Sequence, residues 1–385
     1  MKMKNTIYLD YNATTPVDPM VLEEMLKILK EDFGNPSSQS HIFGQRAAEY
    51  IENARGQTAA LINASASEII FTSGATESCN TAIFGAAETY KERGNNVITS
   101  TAEHKAVLES CRQLANKGFE ITYLRPDSSC RILPDKIENA LTNKTILVSI
   151  MLANNVTGII NEVEKIGQIC KKRGILFFTD ATQAAGKIPI DVEKMNIDLL
   201  AFSAHKIYGP KGTGALYIRK KAPRVHIAPL ILGGGQEKGL RGGTENVAGI
   251  VGFGKACELA KFLMEKENAA ITLLRNRFEA GLLKEIRDAI IFGSNVHRLP
   301  NTTNISFPGI RADKLLKFMP QVAASTGSAF DSTEGYPNYV LKACGVEEDL
   351  IAGSLRFSIG RFTTIEQINY AIQTITQKVK EWKRG

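Results

Sequence analysis

Between residues 67 and 220, short β-branched apolar runs alternate with stretches whose apolar positions recur at helical spacing. Residues 68–72 read as a strand and 75–93 as the helix behind it. The next units pair a strand at 96–101 with a helix closing near Gly118, then a strand at 119–124 with a helix near 135–141. A strand at 145–152 precedes the amphipathic stretch 161–173, which stops at Gly174, a natural helix C-terminal residue. Residues 175–179 and 199–203 are apolar at successive positions, the pattern of parallel strands covered on both faces. Repeated units of this kind predict an α/β fold, an open and mainly parallel sheet with helices on both sides.

After Gly249 the rhythm lengthens. Helices are predicted over 256–267 and 271–287, strands over 289–292, 304–307 and 355–358, and a closing helix over 364–382. The change divides the chain into a large domain, 16–257, and a smaller α+β domain made of 1–15 and 258–385. No internal repeat or low-complexity segment interrupts either.

Composition narrows the class. Hydrophobic residues make up 43% and charged residues 23% of the 385 positions, which suits a packed globular protein. No apolar run approaches the ~18 residues of a membrane span, and Ile7-Tyr8-Leu9 is too short for a signal-peptide core. The expectation is a cytoplasmic protein with no membrane partner. The net charge of +7 is modest for this length, and Arg219-Lys220-Lys221 and the basic tail from Lys378 read as solvated faces. No nucleic-acid partner is expected, while an acidic protein partner stays open. The six cysteines, Cys79, Cys111, Cys130, Cys170, Cys257 and Cys344, lie far apart without a C-x-x-C pair. Buried reduced thiols are expected, with neither a disulfide framework nor a metal cluster.

Candidate chemistry begins at Thr72-Ser73-Gly74-Ala75-Thr76-Glu77, which follows a strand and opens a helix. Gly74 permits the tight turn, Thr76 offers a hydroxyl, and the unpaired amides of the helix start suit an anion such as phosphate. A plain helix cap without ligand is the alternative. Gly209-Pro210-Lys211-Gly212-Thr213-Gly214 lacks the ending of a nucleotide-binding P-loop, and no G-x-G-x-x-G opens a strand–helix unit. Asp180 falls just past one buried strand, and Ser203-Ala204-His205-Lys206 ends the next, where open α/β sheets bind ligands. A carboxylate and a lysine so placed suit pyridoxal phosphate. The lysine forms the Schiff base, and the carboxylate keeps the pyridine nitrogen protonated so that the ring accepts electrons.

Further motifs stand in order along the chain: Asp10-Tyr11-Asn12-Ala13-Thr14-Thr15-Pro16, Phe33-Gly34-Asn35-Pro36-Ser37-Ser38, Glu103-His104-Lys105, Asp180-Ala181-Thr182-Gln183 and Arg241-Gly242-Gly243-Thr244-Glu245-Asn246. With them the sequence resembles, over essentially its whole length, the cysteine desulfurases and selenocysteine lyases, class V aminotransferases of the fold type I pyridoxal phosphate enzymes. The resemblance implies that Lys206 carries the cofactor as internal aldimine, Asp180 partners the pyridine nitrogen and His104 stacks on the ring. It implies that Gln183 bonds the phenolic oxygen, and that Ala75, Thr76, Ser203 and His205 hold the phosphate together with Thr244 from a second subunit of a homodimer. Arg356 would grip the substrate carboxylate as a bidentate fork, with Asn155, Asn35 and Ala13 about the substrate. For His104 a buried structural imidazole is the alternative.

Two positions depart from the family pattern. Val156 stands where Glu usually follows the second Asn of Asn154-Asn155, a change in the polarity of the pocket wall. More consequentially, Ser325-Thr326-Gly327-Ser328-Ala329-Phe330 aligns with a loop whose last residue is the family's nucleophilic cysteine. A phenyl ring forms no thiolate and holds no persulfide. The favoured expectation is a lyase of desulfurase type that cleaves Cβ–S or Cβ–Se on a small amino acid without a loop-borne persulfide, with Phe330 as an apolar lid and a sulfur- or selenium-acceptor protein as a further partner. The competing readings are a desulfurase altered by mutation, an aminotransferase or lyase of a non-sulfur amino acid, and a non-catalytic cofactor-binding scaffold. Retention of Lys206, Asp180, His104, Gln183 and Arg356 argues for catalysis.

Overall fold

The computed structural model describes residues 6–326 and 338–384. The chain opens with strand β1 (Ile7–Tyr8) and with helices α1 (Pro19–Lys30) and α2 (Ile42–Leu61), additions to the predicted set. The Asp18 carboxylate caps α1 by accepting from the Met20 amide, and Pro19 sits at the first turn, where its missing N–H costs nothing.

The predicted alternation follows with ends trimmed by a few residues. It comprises β2 (Ile69–Thr72), α3 (Ala75–Tyr90), β3 (Asn96–Ser100), α4 (Lys105–Ala115), β4 (Glu120–Leu124), α5 (Pro134–Ala140), β5 (Thr145–Ser149), α6 (Val163–Arg173), β6 (Leu176–Asp180) and β7 (Leu199–Ser203). A further strand, β8 (Gly214–Ile218), completes a seven-stranded sheet in the order β2-β8-β7-β6-β5-β3-β4. Every pairing is parallel except those of β8, which runs antiparallel to both β7 and β2. The central strands β5 and β7 are buried at every position, while the edge strand β4 is partly exposed. Gly174 ends α6 at φ 65°, a left-handed position that glycine occupies without strain.

Beyond the sheet, the two helices predicted over 256–267 and 271–287 are one helix of 39 residues, α7 (Val247–Glu285). Neither Gly nor Pro stands between Lys266 and Ile271, so nothing in the backbone ends the helix there. What changes is the partner of its buried face. Val247 to Ala260 pack into the core under the large sheet, whereas Ile271, Phe278 and Leu282 pack into a second core. That core lies among β9 (Ile290–Ile291), β10 (Thr302–Ser306), α8 (Ala312–Phe318), β11 (Val322–Ala323), β12 (Ser354–Ser358) and α11 (Ile365–Arg384), while α9 (Tyr339–Ala343) and α10 (Glu348–Ala352) pack in a separate apolar cluster. β10 pairs antiparallel with β12 and β9, and β1 pairs parallel with β11, which brings residues before α1 against the C-terminal part.

The cysteines divide. Cys79, Cys111, Cys170 and Cys257 are buried free thiols as expected. Cys130 and Cys344 instead form a disulfide, Cα to Cα 5.0 Å, which corrects the expectation of reduced thiols throughout. They lie 214 positions apart in sequence, and only packing of α9 against the loop after β4 brings them together.

Candidate active site

A cavity of about 420 Å³ opens at the carboxyl ends of the parallel strands. β3 delivers His104 to it, the segment after β5 delivers Asn155, β6 ends in Asp180, and β7 runs into a short 3₁₀ turn that carries Lys206. Gln183, Ser203 and His205 line the same wall, and Ala13 and Arg356 close it from the second core's side. Ser73, Gly74, Ala75 and Thr76 present the start of α3, whose cap Gly74 has φ 154° and makes no side-chain cap bond. The helix start therefore faces the cavity with its amide dipoles uncapped by a side chain.

Each group is held in a defined state. Lys206 Nζ donates to the carbonyl oxygens of Asn12 and Ala13, both at 2.6 Å. Burial, with repulsion from Arg356, draws its pKa down to about 8. Asp180 is buried, and its Oδ1 accepts from the Thr182 amide at 2.9 Å. His104 caps α4, its Nδ1 accepting from the Ala106 amide at 3.1 Å. Burial lowers the His104 pKa, so the ring is neutral and carries its proton on Nε2. His205 contacts Thr14 Oγ1 through Nδ1 at 3.1 Å, and burial pushes its pKa down to about 4. The Arg356 guanidinium is 2.6 Å from Asp10 Oδ1 and donates to the Asn155 carbonyl at 3.0 Å. Its fork is therefore partly engaged by Asp10.

Two buried polar atoms on this wall, Asn155 Oδ1 and Thr182 Oγ1, have no hydrogen-bond partner among the described residues. Such atoms cost about 1–3 kcal/mol apiece unless something supplies the missing bond. With a lysine, a carboxylate and an uncapped helix start around them, the donor set fits pyridoxal phosphate.

Of the expected site residues, Thr244 and Asn35 are exposed and lie off the cavity, and Phe330 falls outside the described residues. Val156 is fully buried in an apolar cluster with Cys130 and Leu341, so it is not the wall residue expected at that position. The sequence reading missed Asn12, whose carbonyl binds Lys206, and Lys211 and Tyr339 on the cavity wall. Asn12 and Lys211 lie inside quoted motifs, whereas Tyr339 comes from a distant helix and is held at the site by a bond from its hydroxyl to the Glu103 carbonyl at 2.8 Å, among other contacts.

Comparison with known proteins agrees with this geometry. Residues 7–370 match the aminotransferase class-V family. The cysteine desulfurase IscS of Anaeromyxobacter sp. (strain K) is 50% identical over 379 residues, 98% of this chain and 94% of that protein. IscS of Shewanella sp. (strain MR-4) is 48% identical, covering 98% and 93%. Among solved structures, a NifS-like protein superposes with a TM-score of 0.91 at 40% identity, over 97% of this chain and 99% of the other. The protein SspA, solved in complex with cysteine, gives 0.82 at 38% identity over 93% and 100%. The chain belongs to the class-V aminotransferases, fold type I enzymes that depend on pyridoxal phosphate, and within them to the cysteine desulfurase family.

Proposed function

We propose that the enzyme cleaves the Cβ–S or Cβ–Se bond of cysteine or a related amino acid by direct elimination, with Lys206 holding the cofactor and moving the Cα proton. The observation that carries the reading is the meeting of Lys206 and Asp180, from the ends of neighbouring parallel strands, in one cavity with the uncapped start of α3. Bound there, pyridoxal phosphate supplies an electron sink for the bonds at the substrate's Cα. Asp180 would keep the pyridine nitrogen protonated, and Gln183 would donate to the phenolic oxygen. Ala75, Thr76, Ser203 and His205 would hold the phosphate. Arg356 binds the substrate carboxylate in exchange for Asp10, with Asn155 and Ala13 around the substrate. The Lys206 amine takes the proton from Cα, and neutral His104 gives its Nε2 proton to the departing sulfur or selenium.

Phe330 supports the route without a loop-borne persulfide, since a phenyl ring accepts no sulfur. Burial keeps the Cys79 thiol on the cavity wall protonated, and Cys130 and Cys344 are joined to each other. Elimination needs no oxidant or reductant: cysteine and water give pyruvate, ammonia and sulfide. Formation of alanine would instead require a thiolate to accept the sulfur atom. Incubation with cysteine, selenocysteine and cysteine sulfinate, followed by product analysis and mass spectrometry of the protein, tests the reading. From cysteine and selenocysteine, pyruvate with sulfide or selenide and an unmodified protein is the expected result, while cysteine sulfinate would release its sulfur in oxidised form. A protein persulfide formed at the rate of turnover would overturn direct release, and no product from any of the three would overturn the substrate class.

We also infer a two-fold homodimer in which Thr244 of one copy completes the phosphate site of the other. Exposed apolar residues on the described chain support it: Met20, Leu26 and Leu29 of α1, Phe33, Phe43, and Leu232 on the segment that leads to Thr244.

A further inference from the structure

Lys187 stands in the turns after β6, one step behind the cavity wall. Its Nζ donates to two oxygens of a single residue, the backbone carbonyl and the side-chain Oε1 of Gln183, both at 3.1 Å. The other end of that amide, Gln183 Nε2, donates at 3.0 Å to the Asn12 carbonyl, the same oxygen that accepts from Lys206 Nζ at 2.6 Å. An amide can be turned over with little change of shape, but an ammonium has only donors. While Lys187 is protonated, the amide oxygen must face backwards and the NH₂ group must face Asn12 and Lys206.

The surroundings give Lys187 no other employment. Among the described residues no carboxylate forms an ion pair with it. Glu267, which shares the small cavity beside it, is taken by a two-pronged pair with Arg361, and Asp10 is taken by Arg356. Lys206 and Arg356 repel it, and burial followed by these two charges pulls its pKa down to about 7. The backbone here is held separately, by the Asn268 side chain donating to the Lys187 carbonyl at 2.7 Å. A cation kept in such a place at that cost has its use in Gln183.

We propose that Lys187 is a positioning residue that fixes the orientation of the Gln183 amide, so that its NH₂ group is presented to the phenolic oxygen of pyridoxal phosphate and its oxygen is kept away. The proposal rests on the reading of this cavity as the cofactor site. A donor on the phenolic oxygen favours the form in which the Lys206 nitrogen has lost its proton. Loss of that donor therefore raises the pH at which the absorbance band of the bound cofactor changes.

The test is a spectrophotometric pH titration of the holoenzyme and of Lys187→Met, Lys187→Arg, Gln183→Leu and the double variant Lys187→Met/Gln183→Leu. Methionine keeps the apolar stem and removes the donors. Lys187→Met is expected to move the midpoint up by roughly half to one pH unit, the size of one hydrogen bond. Lys187→Arg should restore most of the shift, and Lys187→Met should add nothing in the Gln183→Leu background. An unshifted midpoint in Lys187→Met, or a shift that persists in the double variant through charge alone, would overturn the proposal while leaving the cofactor site intact. A wild-type protein that develops no cofactor band would overturn the site reading and this inference together.

Discussion

A lysine amine attacks a carbonyl only after losing its proton, and the surroundings of Lys206 decide how often it has. An exposed lysine is almost wholly protonated at neutral pH, whereas burial beside Arg356 brings Lys206 to about 8. The sign follows directly. The free amine gains as pH rises, so capture of added pyridoxal phosphate by the cofactor-free protein should accelerate up to a midpoint near 8 and then level off. Stopped-flow growth of the absorbance band measures it, and a midpoint at the ordinary lysine value would sink the burial argument. Lys206→Ala should form no such band. Lys206, Asp180 and His104 were legible in the sequence because each follows a strand with its motif contiguous around it. Asn12 and Lys187 were not, because what they do depends on Gln183 and Lys206, and Asn12 stands 171 positions from Gln183.

At the scale of elements, the hydrophobic rhythm located the strands because strands covered on both faces leave an unmistakable apolar run. It missed β8, which begins at Gly214 after a turn broken by Gly209, Pro210 and Gly212, and split α7, because the partner of its buried face changes where the helix does not stop. Gly214 at the start of β8 shows why glycine is there. A Cβ on it would lie 2.6 Å from Gly74 Cα and 2.8 Å from the Phe202 carbonyl oxygen, so strand and phosphate turn touch backbone to backbone. Gly214→Ala must push the turn away from β8, and the affinity for pyridoxal phosphate should fall by about tenfold or more while the fold survives. Equilibrium titration of the cofactor-free variant checks it, and unchanged affinity would mean the turn is not held from this side. The disulfide was invisible for a related reason, since spacing says nothing of pairs made by tertiary packing. Thiol titration of the unfolded, unreduced protein should count four free cysteines, rising to six on reduction.

For the molecule as a whole, two consequences follow from what the site keeps neutral and what the surface leaves apolar. His205 is held near 4, below the ordinary histidine value, so as pH falls the unfolded chain takes up a proton before the folded one does. Its contribution to stability is complete above about pH 6.5 and is lost progressively down to about 4. Thermal melting across that range should fall more steeply for the wild type than for His205→Gln, and equal slopes would refute it. The exposed apolar residues make the larger claim. Phe33 is 71% exposed and Leu232 80%, positions that a chain acting alone would waste. Thr244 sits near the second of these, exposed and off its own chain's cavity, while the start of α3 waits without a side-chain cap. The proposed two-fold partner would cover such residues and deliver Thr244 to the neighbouring phosphate site in one step. Sedimentation should give a dimer, and Thr244→Ala should weaken cofactor binding without altering the dimer. Hybrids sharpen the claim. Lys206→Ala spoils the site on its own chain, whereas Thr244→Ala spoils the site on the other. A heterodimer carrying Lys206→Ala on one chain and Thr244→Ala on its partner concentrates both defects in the Lys206→Ala chain's site, leaving one site whole and about half the wild-type activity. A heterodimer carrying both substitutions on a single chain would damage two sites. If the hybrid with both substitutions on one chain were the more active, Thr244 would serve its own chain; equal activity of the two hybrids, or a monomer turning over at the full rate, would equally refute the shared site.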